Sequence, residues 1–254
     1  MSKTIDLNAD MGESFGRWSL GDDTALLDIV SSANIACGFH AGDPDVMAKV
    51  MANAVTKNVG MGAHPGLDDL RGFGRYRMQV PHATLANQVR YQIGAAQAMA
   101  RAAGGEIRHL KLHGALANMA ADDQDLARAC YEAALSVAPD LYIMVIAATA
   151  QQRAATELGA KWVGEIFADR AYNDDATLVD RALPDAVIHD AAIAGPRMAR
   201  MIRAGAIITE SGKHIETQID TICLHGDTPE AVEIAKSVRT ALLDDGISIA
   251  AFGR

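Results

Sequence analysis

Residues 107–114 read Ile107-Arg108-His109-Leu110-Lys111-Leu112-His113-Gly114. In an extended chain, residues two apart share a face. His109, Lys111 and His113 therefore project to one side, and Leu110 and Leu112 to the other. A strand buried on both faces normally carries apolar residues on both, so an ammonium and two imidazoles on the second face need a reason. The pattern recurs upstream. Asp6, Asn8 and Asp10 oppose Ile5, Leu7 and Ala9. Asn34, Ala36, Gly38 and His40 oppose Ile35, Cys37 and Phe39, and Gly60, Gly62 and His64 oppose Val59, Met61 and Ala63. Downstream, Glu165 shares a face with Asp169, and Thr221 and Cys223 share one with His225 and Asp227.

Working outward, short apolar or β-branched runs alternate with helical patterns. Strands are predicted at 4–8, 33–38, 59–63, 107–112, 141–146, 162–167, 206–209, 219–224 and 247–251. Helices are predicted near 22–31, 44–57, 81–103, 122–137, 149–158, 190–204 and 228–244. Asp43-Pro44, Thr228-Pro229 and Asp122 carry helix-start signals; Gly104-Gly105 and Gly246 suit helix ends. The alternation predicts an α/β fold with a parallel sheet, a single domain over 1–254. Asp10, His40, His64, His113, Asp169 and His225 all fall at or just beyond the C-terminal ends of their strands, where β/α barrels build active sites. An open doubly wound sheet binds ligands at the same ends and is the competing architecture. The segments 64–80 and 169–189, long and without helical periodicity, read as functional loops or lids.

Half of the 254 residues are apolar (50%) and 22% are charged, a globular composition. A chain of this length buries about three quarters of its unfolded surface. The net charge of −9 and the lack of a Lys/Arg cluster exclude nucleic acid as a natural partner. Three widely spaced cysteines, Cys37, Cys130 and Cys223, fit neither a disulfide framework nor a thiolate zinc site. There is no apolar signal core and no run of about 20 apolar residues. A cytoplasmic protein is expected.

Each motif carries a bland reading beside its functional one. The run Asn8-Ala9-Asp10-Met11-Gly12-Glu13 gathers an amide and two carboxylates, which serve as bases, ion ligands or orienters of imidazole; a turn rich in capping groups is the alternative. In Gly38-Phe39-His40-Ala41-Gly42-Asp43-Pro44, Asp43 reads as an N-cap and His40 as the functional residue. His64 sits in a tight turn. Arg71 and Arg75, set among glycines, suit a carboxylate or phosphate, or a solvated loop. Lys111 inside a barrel must be paired or neutralised. His82, His189 and His214 read as surface residues, and His109 as an orienting residue deeper on its strand. Ser211-Gly212-Lys213 lacks the upstream glycine of a phosphate loop, and no GxSxG elbow is present.

The stretches Asp6-Leu7-Asn8-Ala9-Asp10-Met11-Gly12-Glu13-Ser14-Phe15-Gly16 and Asn34 to Pro44 resemble signatures of the LamB/YcsF family. So do Gly62 to Gly66, Gly164 to Tyr172 and Ile222 to Asp227, so the resemblance spans nearly the whole chain. It implies a distorted TIM-like β/α barrel related to the glycoside hydrolase/deacetylase superfamily. It also implies one component of an ATP-hydrolysing 5-oxoprolinase, which works with partner subunits B and C to open 5-oxoproline to L-glutamate. ATP, with Mg2+, is then expected at the level of the complex. On that reading Asp10, with His64 or His113, positions and deprotonates water, Lys111 stabilises the oxyanion, and Arg71 or Arg75 holds the substrate carboxylate. Asp169 joins the catalytic set; Asn8, Glu13, His40, Glu165, Arg170, His225 and Asp227 are expected to bind substrate. Two alternatives stand: a metal-dependent amide or ester hydrolase using Asp10, His40, His64 and His113, and a non-catalytic substrate-binding subunit. Departures from the family pattern fall at Leu112, at Ala117 and within 173–185.

Overall fold

The computed structural model describes residues 3–226 and 228–253; Asp227 lies outside them. In chain order the elements are β1 (Thr4–Met11), α1 (Asp23–Leu26), β2 (Ser32–Ala36), α2 (Pro44–Thr56), β3 (Gly60–His64), α3 (His82–Ala102), β4 (Ile107–Lys111) and α4 (Gly114–Asp122). There follow α5 (Gln124–Val137), β5 (Tyr142–Ile146), α6 (Ala150–Glu157), β6 (Trp162–Phe167), α7 (Ala191–Ala204), β7 (Ala206–Ile208), β8 (His214–Glu216), β9 (Thr221–Leu224), α8 (Ala231–Asp244) and β10 (Ser248–Ile249).

Strands β1, β2, β3, β4, β5, β6 and β9 pair side by side in parallel, and β9 pairs back onto β1. The sheet is thus closed, a barrel of seven strands, and the open-sheet alternative is excluded. Closure leaves no unpaired edge within the ring. The outward residues Ile5, Leu7, Ala9, Ile35, Leu110 and Ile222 are buried beneath the helices. Among the described residues no helix is long and apolar enough to cross a membrane.

Three expectations need correction. The strand predicted at 206–209 is not a barrel stave: β7 pairs antiparallel with β8 in a separate hairpin. Helix 22–31 shrinks to the single turn of α1, and α4, unpredicted, follows His113 directly. The start signal at Thr228-Pro229 is displaced, because α8 begins at Ala231. Asp43 caps α2 as expected, its carboxylate accepting from the backbone N–H groups of Asp45 and Val46.

The interior explains the recurrent polar face. Register places Asp6 beside Thr221, Asp10 beside Asn34, Asn34 beside Gly62, and Gly62 beside His109. A chain of hydrogen bonds climbs the axis through these residues. Asp6 accepts from Ser31 and Ser32, both at 2.7 Å, and from Thr221. Asn8 donates to Thr221 at 2.8 Å, and Asn34 donates to Asn8 at 2.7 Å and to Asp10 at 2.8 Å. His109 Nε2 donates to Asn34 Oδ1 at 2.7 Å. Gly62 makes room for this: a Cβ there would overlap the His109 ring. Buried polar groups are tolerable only when paired in this way.

Candidate active site

At the C-terminal end of the barrel this ladder opens into a cavity of about 640 Å3. Asp10, Glu13, His64, Lys111, His113, Glu165 and His225 line it, with Arg75, Arg77, Arg170 and Arg181 among the wall residues. Both the size and the convergence of polar groups suit a small-molecule site. Lys111 Nζ lies 2.9 Å from Asp10 Oδ1, 2.8 Å from Glu165 Oε1 and 2.9 Å from Cys223 Sγ. Lys111 thus hydrogen-bonds Asp10 and Cys223, pairs by charge with Glu165, and neutralises the carboxylates beneath the cavity. Burial opposes ionisation of Asp10, but His64 and Lys111 outweigh it and hold the carboxyl well below its usual range. Burial depresses Lys111, yet Asp10, Cys223 and Glu165 together push it well above the ordinary lysine value. Glu165 is raised by burial in spite of the ammonium beside it.

The two histidines are held through their outer nitrogens. His64 Nδ1 donates to the Lys111 carbonyl at 2.8 Å, and His113 Nε2 donates to the Phe73 carbonyl at 2.8 Å. Phe73 adopts φ 55°, unusual for a non-glycine residue, and so aims that carbonyl at the ring. The inner nitrogens, His64 Nε2 and His113 Nδ1, then face each other at 3.0 Å. Two facing lone pairs repel, so one hydrogen must lie between them. It belongs on His64 Nε2, which also lies 3.3 Å from Asp10 Oδ2. Burial, and then the neighbouring His64, hold His113 well below the usual imidazole range.

His40 stands behind this pair. Its ring is fully buried and stacks on His113 at 3.6 Å and 5°, and neither ring nitrogen has a hydrogen-bond partner. Burial and the two neighbouring imidazoles keep it neutral. It is absent from the cavity wall and packs against His113 instead. Glu13, His40, His64 and His113 bring donor atoms within 4.8 Å of one another. Parallel stacking points the in-plane lone pairs of His40 and His113 alongside each other, so both cannot meet one ion. An ion would rely on Glu13, His64 and His113, and tetrahedral zinc bonds of 2.0–2.1 Å separate nitrogens by about 3.4 Å. The 3.0 Å observed is a hydrogen-bond spacing.

Among the other expected residues, Asn8 lies below the cavity in the barrel interior, and Arg71 is exposed and off the wall. Arg77 and Arg181 stand on the cavity wall, Arg77 paired with Asp122. Arg170 reaches the wall but spends its guanidinium on the Val179 and Ala186 carbonyls. Asp169 pairs with His225 at 2.7 Å. Leu112 and Ala117, where the sequence leaves the family pattern, both line the cavity. His82, His189 and His214 are exposed, as expected.

A closed parallel barrel with its titratable side chains gathered at the carboxyl ends of the strands has the layout of a β/α-barrel active site. The chain belongs to the LamB/YcsF family, whose model matches residues 5–254. It is 70% identical over 250 residues to the 5-oxoprolinase A subunit of Ruegeria pomeroyi, covering 98% of this chain and 99% of the relative. Among solved structures it matches the lactam utilization protein of Thermus thermophilus with a TM-score of 0.91 and 38% identity, covering 98% of this chain and 100% of that one. The catalytic domain of a peptidoglycan N-acetylglucosamine deacetylase from Eubacterium rectale shares the fold at a TM-score of 0.53 and 9% identity, covering 99% of this chain and 89% of that one.

Proposed function

We propose that this chain is the hydrolytic subunit of a cytoplasmic, ATP-dependent 5-oxoprolinase, opening 5-oxoproline to L-glutamate together with subunits B and C. The names of its relatives support the substrate, and the Asp10–His64–His113 relay at the cavity floor carries the chemistry. A lactam carbonyl is a poor electrophile. ATP, with Mg2+, used within the complex would phosphorylate the carbonyl oxygen and make the carbon open to water. The His64–His113 pair gives its shared hydrogen to solvent and then takes a proton from that water, because facing lone pairs favour its uptake. Asp10, kept ionised, orients His64 and balances the charge that forms. Lys111 balances the charge of Asp10 and Glu165 at the cavity floor. Arg75, Arg77 and Arg181 surround the space for the substrate's anionic groups.

The test is ATP-coupled turnover of 5-oxoproline by the chain with subunits B and C. Asp10→Asn and His113→Ala should each lower it by at least about 100-fold, the contribution typical of acid–base groups. Full turnover by both variants would remove the relay from the mechanism.

A further inference from the structure

The relay accounts for the proton that water loses. It leaves open the proton that the ring nitrogen must gain before the C–N bond can break. A second pair of groups stands on the cavity wall, unused so far. His225 follows β9, and Asp169 follows β6. His225 Nδ1 lies 2.8 and 2.7 Å from the two Asp169 oxygens. At the opposite edge, the Arg181 guanidinium approaches His225 Nε2 at 3.3 Å. A guanidinium only donates, so Nε2 presents its lone pair and Nδ1–H is given to Asp169.

The surroundings are built to hold a cation on that ring. Burial opposes ionisation of Asp169, but His225, Arg181 and Arg170 bring its carboxyl down to about 2. Arg197 of α7 fixes the turn that carries it, donating to the Phe167 carbonyl at 3.0 Å and the Arg170 carbonyl at 2.8 Å. The Phe167 ring lies against His225 at 5.6 Å. The other titratable groups near the ring are Asp10 from β1, Cys223 on its own strand, and Lys111 from β4 across Phe167. Among the described residues Arg181 is the one cation seated on Nε2, and it belongs to the 173–186 segment that walls the cavity. Any anionic group entering the cavity competes with His225 for that guanidinium.

We propose that Arg181 keeps His225 unprotonated until the substrate's anionic group draws the guanidinium away, and that His225, with Asp169 as counter-ion, then protonates the leaving nitrogen. This rests on the lactam-opening reading above. The freed Nε2 takes a proton from solvent and passes it to the ring nitrogen. The C–N bond breaks with its electron pair going to nitrogen. Water's oxygen bonds to carbon, and its proton goes to the His64–His113 pair. One water is thus added across the C–N bond of the phosphorylated lactam, leaving the acyl phosphate of glutamate, and a second water releases its phosphoryl group as inorganic phosphate.

Two measurements on the full chain separate this from its parent reading. First, NMR of the isotopically labelled His225 ring follows its protonation in wild type and Arg181→Gln, without substrate. Removing a nearby cation typically moves such a titration by about one pH unit or more, so the ring in the variant should protonate at correspondingly higher pH. Coincident titrations would overturn the gate. Second, in complex with subunits B and C, His225→Asn should lose at least about 100-fold in turnover and lose the alkaline limb of its pH profile. Asp169→Asn should shift that limb to lower pH, which a merely structural role would not do. Full turnover by His225→Asn with an unchanged profile would overturn the acid role. If the wild-type complex opens no lactam, the parent reading fails, and the NMR titration still decides the Arg181 contact.

Discussion

Replacing Lys111 with methionine tests how the charged floor is held together. The ammonium lies 2.9 Å from Asp10 and 2.8 Å from Glu165, and all three side chains are buried. Methionine keeps most of the volume but leaves two buried carboxyls without their cation. Removing one partner of a buried ion pair costs about 3–5 kcal/mol. For a chain of this size each kcal/mol lowers Tm by roughly 2–4 °C, so a fall of about 6–20 °C is expected. The loss should depend on pH in a definite direction. Without Lys111 the folded-state carboxyls rise above their unfolded values, and stability tied to such groups is present at low pH and lost as pH rises. The deficit is therefore larger at pH 8 than at pH 5. Thermal unfolding followed by circular dichroism at the two pH values measures both effects. Adding Glu165→Gln to Lys111→Met should recover part of the loss. A single variant within about 2 °C of wild type at pH 8 would refute the counter-ion role assigned to Lys111.

Burial raises Asp6 from 3.8 to about 6 against the pull of its hydroxyl partners. Its contribution to stability is complete below pH 3.8 and lost as pH rises through about 6, worth up to about 3 kcal/mol. Urea midpoints at pH 5 and 7.5 should show this slope in wild type and lose it in Asp6→Asn. Gly62→Ala pushes a methyl into His109 and breaks its bond to Asn34; a loss of at least about 1–3 kcal/mol is expected in urea unfolding. Elemental analysis of protein purified without chelator should find no stoichiometric transition metal. One tightly held equivalent, lost in Glu13→Gln, would mean that an ion replaces the hydrogen shared by His64 and His113.

Much of the site was legible because strand periodicity is exact. One His-x-Lys-x-His run and its counterparts placed Asp10, His64, Lys111, His113 and His225 at one end of the sheet before any pairing was known. Closure of the ring was not legible, because it depends on β9 pairing with β1 across more than two hundred residues of chain. The hairpin of β7 and β8 misled for a related reason: a short apolar run reads the same whether its partner is a barrel strand or its neighbour. Helix α4 escaped because the Gly-Ala-Leu-Ala-Asn-Met-Ala run has little polar face to give a period. The arginines were placed on the correct loops only in part. Arg71 and Arg75 are four residues apart in a turn, and only the fold decides that Arg75 faces the cavity while Arg71 faces solvent. Arg181 could have been found as a cation within the long 169–189 segment, but its contact with His225 is a tertiary fact.

As the proposed hydrolytic subunit, this chain should be required for lactam opening by the complex. The most direct measurement follows glutamate and ADP formed from 5-oxoproline and ATP by subunits B and C, with this chain present, absent or carrying Asp10→Asn. Glutamate should appear only with the wild-type chain, in step with coupled ADP release. Glutamate formed equally well without the chain, or with the Asp10→Asn variant, would contradict it.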